Sequence, residues 1–280
     1  MGSAVVPLHA FARCASMVLI VALAFGGRDA AATPGPDSTD ARAIMQAVFD
    51  RDTGDRMKAG LRMTIAKGSE RLSRQMQVRS IQFDGGIRSL LLLESPADVR
   101  NTGLLTVDYD EASRDDDQWL YLPSVRRSTR ISAARQSGAF VGSDFSFADL
   151  SRDHPDNYNL RIISHSDTVK GRDVWVIEAT PRTSSVRRKT GYSKVAMWID
   201  KERFIALRVR ARMDEGRRKY IQAKNLKRID GIWIAKRVIA RTVRGGEVIS
   251  ESVMEHRNVS FDNDDVTKAD FTTRRLEQGL

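Results

Sequence analysis

The residues of this chain that invite chemistry are three of its four histidines, those beyond the N-terminal apolar stretch, with a run of aspartates, an arginine cluster and one mixed loop. His154, His165 and His256 fall on a loop, a strand end and a strand, without the paired spacing that metal ligands on one element would show. Asp115-Asp116-Asp117 lacks the spaced oxygens and the glycine of a calcium loop, and it reads as a solvated turn ahead of Trp119. No G-x-S-x-G, P-loop or G-x-G-x-x-G occurs, and spacing assembles no Ser/His/Asp set. The expectation is therefore a protein with no catalytic residue, no metal and no cofactor.

Binding is the better prospect. Asp117-Gln118-Trp119-Leu120-Tyr121-Leu122-Pro123 reads as a short aromatic strand stopped by proline. Ser124 to Ile131 follows with Arg126, Arg127 and Arg130. If that stretch is helical, Arg126 and Arg130 lie one turn apart with Arg127 beside them. Such a cluster holds phosphate or carboxylate groups. A solvated basic face, or pairing with nearby acids, is the equal alternative. In Gly142-Ser143-Asp144-Phe145-Ser146-Phe147-Ala148-Asp149-Leu150, Ser146 and Asp149 form a capping box, with Phe145 and Leu150 at the positions of a hydrophobic staple. A helix of about two turns is expected there, ended by Pro155. Phe145 and Phe147 are then candidates to pack on an apolar face.

The elements that must position these residues are mostly strands. Ile44, Ala47, Val48 and Arg51 share one helical face, so one amphipathic helix is expected over Asp40 to Arg51, capped by Ser38, Thr39 or Asp40. From Arg56 the period becomes two: Leu61, Met63 and Ile65 alternate with polar neighbours. Strands over Leu72–Phe83, Ile87–Glu94 and Leu104–Tyr109 follow, with turns at Lys67-Gly68-Ser69 and Asp84-Gly85-Gly86. The C-terminal half repeats the plan. There Leu207, Val209 and Ala211 face one way, and Arg208, Arg210 and Arg212 the other. So many hairpins predict a mainly β (α+β) fold, with one large antiparallel curved sheet or unclosed β-barrel. Its apolar face needs a cover, and the Asp40 helix and the segment from Pro123 to Asn157 are the candidates. Such a covered sheet either encloses an apolar cavity or packs solid.

The N-terminus sets the compartment. Arg13 precedes an apolar run, Ala15 to Phe25, that is short for a bilayer, and Ala30-Ala31-Ala32 gives an A-x-A cleavage pattern. Residues 1–32 read as a secretory signal peptide, 33–39 as a linker and 40–280 as a single β domain. Cys14 lies ahead of the apolar run, so cleavage leaves no cysteine for disulfides or lipidation. The formal net charge is +10, and losing Arg13, Arg28 and Asp29 with the leader keeps the balance basic. In an exported protein that charge faces anionic lipid or acidic envelope partners. No nucleic-acid-binding motif is present, and nucleic acid is not an expected partner.

Trp119-Leu120-Tyr121-Leu122-Pro123, the arginines at 126, 127 and 130, and Gly142-Ser143-Asp144-Phe145 through Asp149-Leu150 together resemble the signature of LolA-like outer-membrane lipoprotein-sorting proteins. The likeness extends over roughly Ala41 to Phe271. It is greatest to periplasmic members found beside resistance-nodulation-division (RND)-type lipid exporters. Ala139-Phe140-Val141 departs conservatively from the serine-phenylalanine-methionine pattern expected before the glycine. The resemblance implies an unclosed barrel with a helical lid, which shelters a lipid or the acyl chains of a lipoprotein in transit through the periplasm. It implies an inner-membrane transporter partner, RND-type or other, and transient contact with membrane surfaces. Trp119, Tyr121, Phe140, Phe145 and Phe147 become candidate lid and cavity residues. Arg126, Arg127 and Arg130 become candidate head-group or partner contacts. A non-transporting envelope scaffold and a lipid hydrolase are the alternative readings.

Overall fold

The computed structural model describes residues 33–278, so the expected leader lies outside the described residues. Helix α1 (Ala41–Phe49) opens the fold, with the Asp40 carboxylate accepting from the backbone N–H groups of Arg42 and Ala43. A first meander follows: β1 (Arg56–Lys67), β2 (Glu70–Phe83), β3 (Gly86–Ser95), β4 (Gly103–Tyr109), β5 (Asp117–Leu122) and β6 (Arg127–Arg130). After a long crossing segment comes the second: β7 (Tyr158–Val169), β8 (Arg172–Pro181), helix α2 (Ser184–Thr190), β9 (Lys194–Asp200), β10 (Ala206–Arg212), β11 (Arg217–Ile229), β12 (Ile232–Arg244) and β13 (Glu247–Phe261). Helix α3 (Thr273–Gln278) closes the described chain.

All thirteen strands form one antiparallel sheet in the order β6-β5-β4-β3-β2-β1-β13-β12-β11-β10-β9-β8-β7. The first and last strands pair at its centre, Met63 opposite Met254. The two edges, β6 and β7, are consecutive in sequence and do not pair with each other. Register shifts in the β1–β13, β9–β10, β12–β13 and β7–β8 pairs mark bulges, which bend strands and increase twist. The result is a curved sheet that stops short of closure.

This topology forces the connection between β6 and β7 to cross from one edge to the other, and it does so as a strap over the face that presents Leu61, Met63 and Ile65. Phe140 and Phe145 of the strap are buried among Leu61, Met63 and Ile65 of β1, Met76 of β2, Leu91 and Leu93 of β3, and Met254 of β13. The opposite face of β3 is also covered, because Leu90 and Leu92 pack with Val266, Phe271 and Leu276 of the C-terminal segment. Cover on both faces explains why Leu90 to Leu93 is an unbroken apolar run. Near the β7 edge, α1 inserts Ile44 against Trp175, Ile177 and Ile199.

Three local expectations are corrected. Ser124–Ile131 is not helical: β5 turns through Arg126, whose φ is 54°, and returns as β6 with Arg130 opposite Trp119. Pairing with β5 outweighs any helical preference in so short a stretch. The helix expected after Ser146 is a single 3-10 turn, Ala148–Leu150. Its capping box does form, since Asp149 accepts from the Ser146 N–H at 2.8 Å and the Asp149 N–H donates to Ser146 Oγ at 3.2 Å. The backbone then leaves the helical region at Ser151. Finally, Asp116 is buried and Asp117 begins β5, so this acidic run is not a solvated turn.

Candidate functional site

The strap is held by polar residues on otherwise apolar surroundings. Val141 and Gly142 both take positive φ, 43° and 81°, so the chain doubles back and the Phe140 N–H donates to the Phe145 carbonyl at 2.7 Å. That turn presents Asp144 to the sheet. Its carboxylate accepts from Thr242 Oγ1 on β12 at 2.5 Å, from Ser252 Oγ on β13 at 2.7 Å, and from Ser250 Oγ. The Asp144 N–H donates back to Ser252 Oγ at 2.9 Å. A second anchor is Gln118 of β5, whose amide nitrogen donates to the Phe147 carbonyl and to Ser151 Oγ. The third is Asp149, which accepts from Lys219 Nζ of β11 and from the Tyr192 hydroxyl, each at 2.6 Å. Each anchor lands on a different part of the sheet, so the strap is fixed along its length.

Between the strap, α1 and strands β7 to β11 lies an apolar cavity of about 210 Å³. Met45, Leu160, Met197, Val209 and Ile221 supply its hydrocarbon walls, and Tyr158 and Tyr192 border its polar end with Asp149 and Asp153. Asp153 accepts from the Tyr158 hydroxyl, and burial holds its carboxyl above the usual range. Burial, with Asp149 beside it, likewise raises the Tyr192 phenol. The polar end is therefore internally satisfied, and the open volume faces hydrocarbon.

A polar latch joins the two halves of the sheet near this end. Asp116, in the loop between β4 and β5, pairs with Lys189 of α2 at 2.8 Å, both side chains being largely buried. Burial by itself lowers Lys189, but Asp116, with Asp153 and Asp115 farther off, outweighs it and raises the ammonium. Asp108 on β4 accepts from the Arg152 N–H of the strap at 3.2 Å. Its carboxyl is pushed up to about 7, first by burial and then by the charge on Asp116.

The aromatic candidates fall into two groups. Phe140, Phe145 and Phe147 come together beneath the strap, with the rings of Phe140 and Phe147 edge-to-face at 5.7 Å. Trp119 and Tyr121 alternate away from Gln118 and pack on the other face, by the cluster that holds Leu276. None of the five borders the 210 Å³ cavity. The arginines do not converge either: Arg126 sits in the β5–β6 turn, while Arg127 and Arg130 are three apart on a strand and point to opposite faces. Arg130 pairs with Asp117. The turn itself is exposed and carries apolar residues, Leu122 and Val125 at 38% and 59% exposure. Sequence reading missed the cavity wall because Met45, Leu160, Val209 and Ile221 look like ordinary core positions on four separate elements. The histidines stay apart: His154 caps a 3-10 turn, and His256 on β13 is held down to about 4 by burial and by Lys236. Among the described residues no three metal-ligating side chains converge. No helix among them is long and apolar enough to cross a membrane.

A protein-family model described as "-like: Uncharacterized protein" matches residues 85–278. No curated protein matches the chain. Among solved structures, a DUF1329 family protein from Desulfovibrio piger is 27% identical with a TM-score of 0.76, covering 86% of this chain and 99% of that one. A candidate outer membrane lipoprotein-sorting protein domain from Vibrio parahaemolyticus is 28% identical with a TM-score of 0.75, covering 85% and 98%. A LolA superfamily protein from Nitrosomonas europaea, at 21% identity and a TM-score of 0.62 over 84% and 98%, shares the fold.

Proposed function

Since the chain belongs to the family whose model spans residues 85–278 and has the LolA-like fold, we propose that it is a periplasmic carrier for a lipid or for lipoprotein acyl chains. The observation that carries this reading is the apolar cavity of about 210 Å³ between strap and sheet. An apolar cavity of ~150 Å³ already takes up benzene, so this one accommodates a ring or the end of an acyl chain. A whole chain needs more room, which the fold provides only if the strap lifts. The strap is suited to this because its anchors at Gln118, Asp144 and Asp149 are polar and can exchange their partners for water. The sheet strands beneath it are held by continuous ladders.

Moving a sixteen-carbon chain into water costs on the order of 12 kcal/mol at ~0.8 kcal/mol per methylene. An apolar chamber avoids that cost, but it is no more apolar than a bilayer. Extraction therefore needs an energised partner, an inner-membrane transporter of the RND type or another, with this protein as the soluble receiver. No catalytic step enters the proposal. Export by the N-terminal leader belongs to the same reading, and so does head-group or partner contact through Arg126, Arg127 and Arg130.

Mass spectrometry of lipid extracted from the purified protein tests the proposal. The expected result is an acyl lipid near one per chain, lost in Val209→Trp, which fills the cavity. Absence of lipid both as purified and after incubation with lipid-donor vesicles overturns it.

A further inference from the structure

Of the five large apolar residues that are strongly exposed among the described residues, Val248 and Ile249 are adjacent, at 57% and 42% exposure. They are the second and third residues of β13, one residue past the Gly245-Gly246 turn and next to the exposed Glu247, so they lie at the tip of the β12–β13 hairpin. The neighbouring tips bring cations to the same rim. Lys194 of β9 lies opposite Arg212 of β10, Arg212 opposite Arg218 of β11, and Arg217 opposite Arg244 of β12. Like charges directly opposite each other on paired strands are destabilising, and here three such pairs occur side by side. Two acids relieve the Arg217–Arg244 pair in part: Glu215, at 3.7 Å from Arg217 and 3.8 Å from Arg244, and Glu247, which stands opposite Arg244 across the β12–β13 turn. Among the described residues Arg212 and Arg218 make no ion pair. Lys194, Arg210, Arg212 and Arg218 instead line an open cleft of about 170 Å³ with the single acid Glu178, which is already paired to Lys194 and Arg161.

We infer that this rim is a docking surface for anionic phospholipid membranes, with Val248 and Ile249 entering the interface and Arg212, Arg217, Arg218 and Arg244 meeting lipid phosphates. The charges fit, because arginine pairs bidentately with phosphate oxygens and neighbouring strands space the cations at roughly 4.8 Å. The apolar residues favour a bilayer over an acidic protein. A protein partner needs about 800 Å² of complementary surface with anchors such as tryptophan or tyrosine. A projecting Val-Ile tip offers neither, whereas a bilayer accepts it without shape complementarity. The inference stands apart from the carrier reading, since a membrane-docking rim requires no cavity and no cargo.

Flotation of the purified protein with phosphatidylcholine vesicles, with and without phosphatidylglycerol, tests it. Binding is expected only when phosphatidylglycerol is present, and it weakens as salt is raised. Each arginine near a membrane surface contributes about fivefold in affinity, so Arg212→Gln with Arg218→Gln together lose on the order of 25-fold. Val248→Ser with Ile249→Ser loses binding at low salt although every charge is kept. All four positions are on the surface, and unchanged thermal unfolding of the variants verifies that the fold survives. Equal binding to both vesicle types, no binding to either, or unaltered binding by both variants would overturn the inference. Lipid found in the cavity of a variant that no longer floats would leave the carrier reading intact while separating the two.

Discussion

Replacing Asp144 offers the sharpest test of how the strap is fixed. Its carboxylate gathers three hydroxyls from two central strands, and Ser252 among them is completely buried. A hydrogen bond to a charged group contributes about 1.5–3 kcal/mol net, and an orphaned buried donor costs ~1–3 kcal/mol. Thr242 and Ser250 are half-buried and can recover water, so the full sum does not apply. Asp144→Ala is therefore expected to cost about 3–5 kcal/mol, a large share of the ~5–15 kcal/mol that holds a typical domain. Asp144→Asn keeps one acceptor oxygen but aims an amide N–H₂ at hydroxyls that must then turn round. Ser252 Oγ already accepts from the Asp144 N–H, so this variant should cost about 1–2 kcal/mol. Urea unfolding gives the magnitudes, and hydrogen exchange gives the location. Amides of residues 138–150 should exchange faster than those of β12 and β13. A loss below ~1 kcal/mol in Asp144→Ala, or acceleration spread evenly over the sheet, would refute the anchoring argument.

Three further outcomes follow from the latch and the buried titrating groups. Asp116→Asn and Lys189→Met should each cost about 3–5 kcal/mol by leaving a buried charge unpaired, whereas Asp116→Leu combined with Lys189→Met should come close to wild type in urea unfolding. Asp108 titrates near 7 in the folded state and near ~3.9 unfolded, so its ionisation opposes folding above pH 7, and this penalty fades as pH falls towards 4. Asp108→Asn should accordingly be stabilising by up to ~4 kcal/mol at pH 8 with the advantage gone near pH 4; a difference that ignores pH would contradict it. His256 works the other way: held near 4 when folded, it withdraws stability as pH falls from ~6.5 to 4, a loss that His256→Gln should remove.

The strand-and-turn plan was legible because it depends on period. Leu61, Met63 and Ile65, and the Leu207-to-Met213 alternation against three arginines, carry their facing in the sequence itself. The capping box at Ser146 and Asp149 was legible for the same reason, being a contact three residues long. How far the turn ran was decided elsewhere, by Lys219 and Tyr192 drawing on the same carboxylate. The stretch from Ser124 to Ile131 became a strand because β5 offered an unpaired edge, which no local propensity records. Buried pairs such as Asp116 with Lys189, and Asp144 with three hydroxyls, join residues 73 or more positions apart. Their side chains look like surface residues until the sheet curves around them.

What the sequence determined by itself was therefore the list of strands, their facing and the glycine-entered turn that carries Asp144. These rest on interactions between near neighbours, where spacing alone fixes geometry. Only the tertiary structure decided that the two meanders join through β1 and β13, that β6 and β7 do not pair with each other, and that the segment between them crosses the face of Leu61, Met63 and Ile65. The cavity belongs to that second level. It is bounded by α1, the strap and five strands, and an empty volume has no residue of its own to leave a mark in the sequence.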